Sequence, residues 1–407
     1  MRILLDMQGA QCQSRHRGLG RYTLDISPAF APMAAARHVI RFAFNAQLDE
    51  ATGSVIAARQ PCASSCRRLL IPALGDVAAQ RADNAARRDV SERLMRHGLA
   101  QAGADIVWFS SMIEGYVDDA LIPASGTPGT RTAATLYDLI PLHDPDAYLG
   151  HPRVKAWYEA KLKALSQCDL LLSISEWVRQ DALVRLGLDP SRIVTIGGGV
   201  DSRFRPPADP RMARQRVDEA LGTNLPYVLY NGGFDPRKNV ARLVEAFGAL
   251  PPDVREHHRL VIVGRASTEQ MTALKTAMRT ANLPPASVLF PGYVPDDVLV
   301  DLYASCALFV FPSTLEGFGL PPLEAMSCGA PVISSHAASL PEVIGHADAM
   351  FDPLRVDAIA KAMAEVLQQP ARTRSLRQHA LLQASRFTWE AVASRALAAL
   401  ESLAARP

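Results

Sequence analysis

Residues 311–335 read FPSTLEGFGLPPLEAMSCGAPVISS. The apolar run that leads into them, ALFVFPS (307–313), has the length and continuity of a parallel strand covered on both faces. LEGFG is then the loop leaving the carboxyl end of that strand. Pro321 and Pro322 suit the first positions of a helix, where a missing N–H costs little. Gly329 supplies the helix stop, and Pro331 opens the next strand. This reading places Glu316 on the loop and Glu324 in the first turn of the helix. Strand, loop, helix and strand in so short a stretch is the repeating unit of an open α/β sheet.

The same pattern extends in both directions. Toward the N-terminus the expected strands are 2–6, 38–44, 105–111, 132–139, 169–175 and 192–197. In the second half they are 227–233, 259–264, 288–293, 307–313 and 331–335. Most are unbroken apolar runs, and amphipathic helices separate them. In NVARLVEAFGAL, for example, Val240, Leu243, Val244, Phe247 and Leu250 share one face. The alternation predicts an α/β protein of two doubly wound, Rossmann-like domains. FRPPADP (204–210) interrupts the periodicity and sets the boundary. The expected domains are 1–205 and 206–385. A last helix within 386–407 is expected to pack back toward the N-terminal domain.

Composition narrows the function class. With 407 residues the chain exceeds one ordinary core, and its 48% hydrophobic content is ample for two. Forty-three basic against 41 acidic residues leave a formal charge of +2, so no global field recruits nucleic acid. Six scattered cysteines fit a reducing compartment. Cys62 and Cys66 have no second ligand pair at zinc spacing, so no metal is expected. No stretch approaches the ~18 apolar residues of a membrane span. MRILLDMQGAQ reads as a first strand, not a signal peptide, so the expected location is cytoplasmic. An arginine-rich helix at 81–97, with Arg81, Arg87, Arg88, Arg93 and Arg96, reads as a solvated face. Its other reading is peripheral contact with the anionic inner membrane surface.

Glu316 and Glu324 are carboxylates in a nearly uncharged stretch. Taken singly, Glu324 complements a helix dipole and Glu316 is a loop acid. As a pair flanking GFGLPP, at the sheet edge where open α/β folds bind ligands, they suit sugar or ribose hydroxyls. The N–H groups of Gly319 and Leu320 can meet phosphate oxygens. Arg237 and Lys238 follow the strand YVLYNGG and can neutralise a diphosphate leaving group.

The stretch EGFGLPPLEAMSCGAPVIS resembles the E-x7-E donor signature of retaining glycosyltransferases with the GT-B fold, especially glycosyltransferase family 4. YNGGFDPRKNVARLVEAF, LVIVG, VLFPGYVPDDVLVDLYASC and SLPEVIGHAD follow the order of that family, and the N-terminal half matches more loosely. The resemblance implies two Rossmann-like domains facing across a cleft, with nucleotide-sugar bound by the C-terminal one and acceptor by the N-terminal one. It implies that Glu316 holds donor-sugar hydroxyls, that Glu324 holds ribose and that Lys238 meets the diphosphate. The donor loop between the glutamates is Gly317, Phe318, Gly319 and Leu320. Many members carry an arginine at the position of Gly233, and here Arg237 must substitute.

SRHRGLGRY (14–22) resembles the family's G-x-G-R-Y loop. Gly18 and Gly20 are thereby expected on the loop after the first strand, near the donor, with Arg15, Arg17 and Arg21 beside them. In TLYDLIPLHDP (135–145), Tyr137 stands where relatives often have a sugar-binding histidine, and Asp138 is the candidate catalytic residue. His143 reads as a loop histidine. The Y-D-L-I-P-L run resembles a mannosyltransferase-like subgroup. That favours GDP-mannose as donor, with a glycan or lipid-linked oligosaccharide of a surface polysaccharide as acceptor, and front-face attack without a metal. SISEWVRQDAL resembles the family's S-x-S-E segment, in which Ser175 caps a helix. Other readings of the same residues are a UDP-sugar-dependent transferase, a sugar-nucleotide epimerase and a non-catalytic nucleotide-sugar-binding scaffold.

Overall fold

Most of the unbroken apolar runs are buried on both faces because they form interior strands of two parallel sheets; those at Ile193–Thr195 and Val288–Gly292 are sheet edges and partly exposed. The computed structural model describes residues 1–16, 18–48, 66–123 and 129–406. Arg17 and Cys62 lie outside them. Two compact units divide the chain, one of residues 1–199 with 388–407 and one of 200–387. The sequence put these boundaries at 205 and 385.

In the first unit the strands are β1 (Arg2–Asp6), β2 (Val39–Asn45), β3 (Cys66–Ile71), β4 (Ile106–Phe109), β5 (Arg131–Leu136), β6 (Leu170–Ser173) and β7 (Ile193–Thr195). They pair in the order β3-β2-β1-β4-β5-β6-β7, all parallel. Leu5 of β1 stands opposite Phe42 on one side and Trp108 on the other. Trp108 is buried against Phe30 and donates from Nε1 to Thr135 Oγ1 at 3.0 Å. The helix Trp389–Ala404 packs on the helix Gly18–Ala35. It is fixed by Arg395 donating to the Ile196 carbonyl, by an edge contact of Trp389 with Tyr22, and by Glu401 bonded to His38.

The second unit contains β8 (Tyr227–Asn231), β9 (Arg259–Val263), β10 (Val288–Gly292), β11 (Leu308–Phe311), β12 (Val332–Ser335) and β13 (Met350–Phe351), in the order β10-β9-β8-β11-β12-β13, again all parallel. Tyr227, Tyr230, Phe247, Phe309 and Phe311 fill its interior. In each sheet the order reverses once, between β1 and β4 and between β8 and β11. The chain leaves those neighbouring strands in opposite directions and opens a crevice at their carboxyl ends.

Four local expectations need correction. The strand β3 was missed because Arg67 and Arg68 break its apolar run, which an edge strand tolerates. The two-residue β13 is too short to carry a pattern. The arginine-rich helix runs Ala85–Gln101, not 81–97. Gly18 and Gly20 are not on a loop: they open the helix Gly18–Ala35. A Cβ at Gly20 would lie 2.2 Å from Arg15 Cα and 2.4 Å from the Ser14 carbonyl oxygen, so this glycine lets the helix start press against the turn before it.

One buried acid gives the first unit a pH signature. Asp6, at the end of β1, is pushed up to about 7 by burial, against hydrogen bonds from Gln8. The folded state therefore keeps a proton that the unfolded chain releases between about pH 4 and 7, and stability falls as pH rises through that window. Asp6→Asn cannot ionise. Urea titrations at pH 4.5 and 7.5 should show the wild type losing on the order of 2–4 kcal/mol more than the variant. Equal losses would mean that the Asp6 carboxyl is not held neutral.

Candidate functional site

The crevice between β8 and β11 collects the charged residues singled out above. β8 ends at Asn231, and the chain crosses Gly232 and Gly233 into a single 3-10 turn, Pro236–Lys238, whose first N–H is capped by Asp235. Asn239 follows in the left-handed region (φ 61°), where asparagine is tolerated, and the helix Val240–Gly248 begins. The Asn239 side chain donates to the carbonyls of Pro312 and Pro353. β11 ends at Phe311, and Pro312 to Gly319 lead into the helix Leu320–Ser327.

The two loops are laced together. The Arg237 carbonyl accepts from Thr314 N at 2.8 Å, Thr314 Oγ1 at 3.1 Å and Ser313 Oγ at 3.1 Å. Ser339 Oγ donates to the carbonyls of Glu316 and Phe318, both at 2.9 Å. Gly319 has φ +115°, and a Cβ there would lie 2.8 Å from Leu340 Cδ2, so only glycine fits. Among the described residues, the N–H groups of Gly319 and Leu320 have no protein acceptor. They form the positive end of an eight-residue helix.

At the centre is one carboxylate between two cations. Lys238 Nζ is 2.5 Å from Glu316 Oε1, and Arg237 Nη1 is 3.0 Å from Glu316 Oε2. The same guanidinium donates to the Leu315 carbonyl at 2.6 Å. Lys238 also lies over the Phe311 ring, 5.3 Å from its centroid. Glu316 is 7% exposed. Burial pushes its carboxyl up, but Lys238 and Arg237 outweigh that and hold it below the ordinary range. Burial pulls the Lys238 ammonium down, with Glu316 opposing. Asp235 is 3.7 Å from Arg237 Nε and more exposed.

Glu324 is 6% exposed and takes a different partner. Its Oε2 accepts from the Tyr303 hydroxyl at 3.0 Å, which in turn accepts from Asn231 Nδ2 at 2.8 Å. Glu324 is the fifth residue of its helix, so it lies in the second turn; the sequence put it in the first, as if the helix began later than Leu320. Gly317 and Phe318 are on the loop beside Glu316, with Phe318 packed edge-on against Phe387. A Cβ at Gly233 meets nothing within 4 Å, and Arg237 reaches the carboxylate from the 3-10 turn.

Asp138, Gly18 and Gly20 belong to the first unit. Asp138 follows β5, and its Oδ1 accepts from Ile140 N at 3.2 Å. Ser175 caps its helix by accepting from Val178 N at 3.1 Å. His143 is held between Asp181 (2.9 Å) and Arg185 (3.0 Å) and stacks on Trp177, a structural setting. The residues missed in the sequence are Asn231, Asn239, Ser313, Tyr303 and Ser339. The only local signal among them was an asparagine directly before an apolar helix.

This arrangement has counterparts. Residues 212–383 match the family model for glycosyl transferases group 1. The chain is 32% identical over 400 residues to the serotype-specific mannosyltransferase WbdA of Escherichia coli, covering 98% of this chain and 47% of that protein. It is 34% identical over 262 residues to the O-antigen chain mannosyltransferase B of Escherichia coli, covering 64% of this chain and 67% of that protein. HepE of Anabaena, solved in complex with UDP and glucose, superposes with a TM-score of 0.70 at 18% identity, over 99% of this chain and 100% of that one. That likeness concerns the fold. The chain belongs to the group 1 glycosyltransferases, the GT-B enzymes of glycosyltransferase family 4. It spans under half the length of the WbdA proteins it matches.

Breaking a buried ion pair leaves an uncompensated charge, at a cost of about 3–5 kcal/mol. Glu316→Gln leaves Lys238 and Arg237 facing each other and should lose stability on that scale in urea titrations at pH 7. Because Lys238 can then shed its proton, part of the loss should return as pH rises. Adding Lys238→Met to Glu316→Gln should recover more than half. A double variant as unstable as the single one would show that like-charge repulsion is not the cause.

Proposed function

We propose that this chain is a retaining mannosyltransferase that moves mannose from GDP-mannose onto a glycan or lipid-linked oligosaccharide in surface polysaccharide biosynthesis. The observation that carries the reading is the pair of cations anchored on one buried carboxylate beside the helix start at Gly319. Two positive charges against one negative, with free N–H groups nearby, suit a nucleoside diphosphate. The Escherichia coli relatives support the choice of sugar by their names, as mannosyltransferases. Action at the cytoplasmic membrane face belongs to the same proposal. No helix among the described residues is long and apolar enough to cross a membrane.

In the proposed reaction the acceptor hydroxyl oxygen forms a bond to the anomeric carbon as the bond from that carbon to the diphosphate breaks. The electron pair goes to the departing phosphate oxygen, which also takes the acceptor's proton from the same face. Lys238 and Arg237 stabilise the charge that grows there. Glu316 sets the position of both cations and orients donor hydroxyls. Glu324, with one oxygen fixed by Tyr303, takes the ribose. The donor site is the work of the second unit and the acceptor site that of the first, where Asp138 stands at the end of β5. The two cations supply the charge that a metal ion provides in other transferases, so no metal is assigned.

Donor identity is read by thermal shift. A nucleotide at a hundred times its dissociation constant stabilises by about 2.7 kcal/mol. GDP and GDP-mannose should raise the melting temperature more than UDP or UDP-glucose do. A UDP preference would overturn the mannose assignment and leave the family intact.

The charge argument is read by turnover. A fixed cation aimed at developing charge contributes several kcal/mol to the barrier. Lys238→Ala should lower kcat at least ~100-fold, with a smaller loss of ground-state donor affinity. Wild-type activity should continue in EDTA. Activity that stops with EDTA and returns with manganese, or a folded Lys238→Ala enzyme of near-normal rate, would place the diphosphate elsewhere.

A further inference from the structure

An anion site gains nothing electrostatically from carboxylates, yet the crevice between β8 and β11 sets them beside both of its cations. Lys238 Nζ and Arg237 Nη1 each hold one oxygen of Glu316, at 2.5 and 3.0 Å, and Arg237 Nε has Asp235 Oδ1 at 3.7 Å. Two cations thus face two carboxylates, one from each loop. Asp235 also caps its turn by accepting from Arg237 N at 3.2 Å. Tyr230 feels the same charges, but burial pushes its phenol well up, and its hydroxyl donates to the Gly233 carbonyl at 2.6 Å. The next charge along the chain, Arg242, donates to Asn239 Oδ1 at 2.6 Å. Glu324, on the neighbouring helix and bonded to Tyr303, adds a third carboxylate.

Positioning the cations does not by itself require a charge. The Leu315 carbonyl already accepts from Arg237 at 2.6 Å, and the Phe311 ring lies 5.3 Å from Lys238 Nζ. A neutral amide at position 316 would accept from a cation without cancelling it. A carboxylate changes what the site admits. It accepts from hydroxyls, and it repels any charge beyond what the cations can meet, with little screening because Glu316 is buried. Repulsive elements of this kind let a site separate close relatives. Two ligands here share base, ribose and diphosphate: a nucleotide-sugar, and the nucleoside diphosphate left once the sugar has gone. The first brings sugar hydroxyls and a single charge on each phosphate. The second lacks those hydroxyls and, above about pH 6, carries an additional charge on its terminal phosphate.

We propose that Glu316, assisted by Asp235, makes this site select by charge: it admits a nucleoside diphosphate that carries a sugar and disfavours the bare diphosphate. The inference rests on the nucleotide-sugar reading for its ligand class and deepens it. The side chains of Arg237 and Asp235 are 22% and 35% exposed, so a ligand reaches the cluster from their side. Lys238 and Arg237 hold the Glu316 carboxyl below its ordinary range, so it stays charged at neutral pH. Selection by charge also bears on product release. In the proposed reaction the departing phosphate oxygen takes the acceptor's proton, and the diphosphate therefore forms with the same charge as the donor. Loss of that proton to water adds the charge that Glu316 repels, and the product leaves.

Titration calorimetry on the full wild-type chain, with GDP and GDP-mannose as probes, tests this without a variant. The affinity for GDP relative to GDP-mannose should fall at least ~5-fold between about pH 5.5 and 8, because only GDP loses a phosphate proton in that range. Burial pulls the Lys238 ammonium down, but any titration of Lys238 weakens both ligands and cancels in the ratio. A ratio that stays level, or that moves toward GDP as pH rises, overturns the proposal. At about pH 8, Glu316→Gln should shift the ratio toward GDP at least ~10-fold, since a like-charge contact is removed. Asp235→Asn keeps a capping side chain and serves where Glu316→Gln does not fold. Its charge is more exposed, so it should shift the ratio the same way by ~2-fold. A folded Glu316→Gln protein with the wild-type ratio overturns the assignment, and Asp235→Asn decides in the same way if the first variant is unfolded. UDP and UDP-glucose replace the guanosine pair if they bind more tightly, because the argument concerns the diphosphate and not the base. A chain that binds none of the four overturns this inference together with the reading beneath it. A chain that shows the pH-dependent ratio but consumes no GDP-mannose counts against the mannosyltransferase reading alone.

Discussion

Both oxygens of Glu316 are occupied by cations from another loop, and the geometry of the second unit's binding edge hangs on that contact. Lys238 and Arg237 leave β8, and Glu316 leaves β11. A buried ion pair adds little net stability, since desolvation offsets most of the attraction. Its value here is positional. It holds two long, flexible side chains in one place before any ligand arrives, so their ordering cost is met on folding and not on binding. Under the proposed function, a diphosphate would meet charges already aimed and would share them with the carboxylate of Glu316.

Sheets of like topology carry opposite chemistry at their reversal points. Between β8 and β11 the crevice offers cations and helix-end N–H groups. Between β1 and β4 it offers a carboxylate and hydroxyls. The near-zero formal charge of the chain conceals this separation, because each patch is small and locally compensated. Arg237 and Lys238 are balanced by Glu316. Glu114 accepts from Ser14 and Cys12, and burial is the largest influence on its titration.

Legibility in the sequence followed the range of the forces involved. The interior strands could be read because burial on both faces demands an unbroken apolar run, as in VLY and LFVF. β3 could not, because an edge strand may carry Arg67 and Arg68. The helix Val240–Gly248 was legible from the spacing of Val240, Leu243, Val244 and Phe247. The start of the Glu324 helix was misjudged because two successive prolines fit several positions of a first turn. Glu316 stood out as an isolated charge near a turn, and Lys238 as one of an adjacent cationic pair. Their contact did not, since it spans 78 residues and depends on which strands are neighbours. Tyr303 and Ser339 were invisible for the same reason: their roles are hydrogen bonds to partners 21 to 23 residues away, on other elements. Glu114 carries no motif, and its contacts with Ser14 and Cys12 join segments 100 and 102 residues apart.

The two places where the chain passes between units lie side by side: Val200 N–H donates to the Phe387 carbonyl at 3.1 Å. The second unit is therefore a closed excursion whose entrance and exit meet. In engineering terms it can be cut out as one continuous piece, residues 200–387, without leaving distant loose ends. The first unit is then left as two fragments, and the second of them carries Trp389, Val392, Leu397 and Leu400, all buried in its core. During synthesis that core waits for the last helix, whereas every residue of the 200–387 unit has already emerged. Chain order thus gives the 200–387 unit a head start in folding.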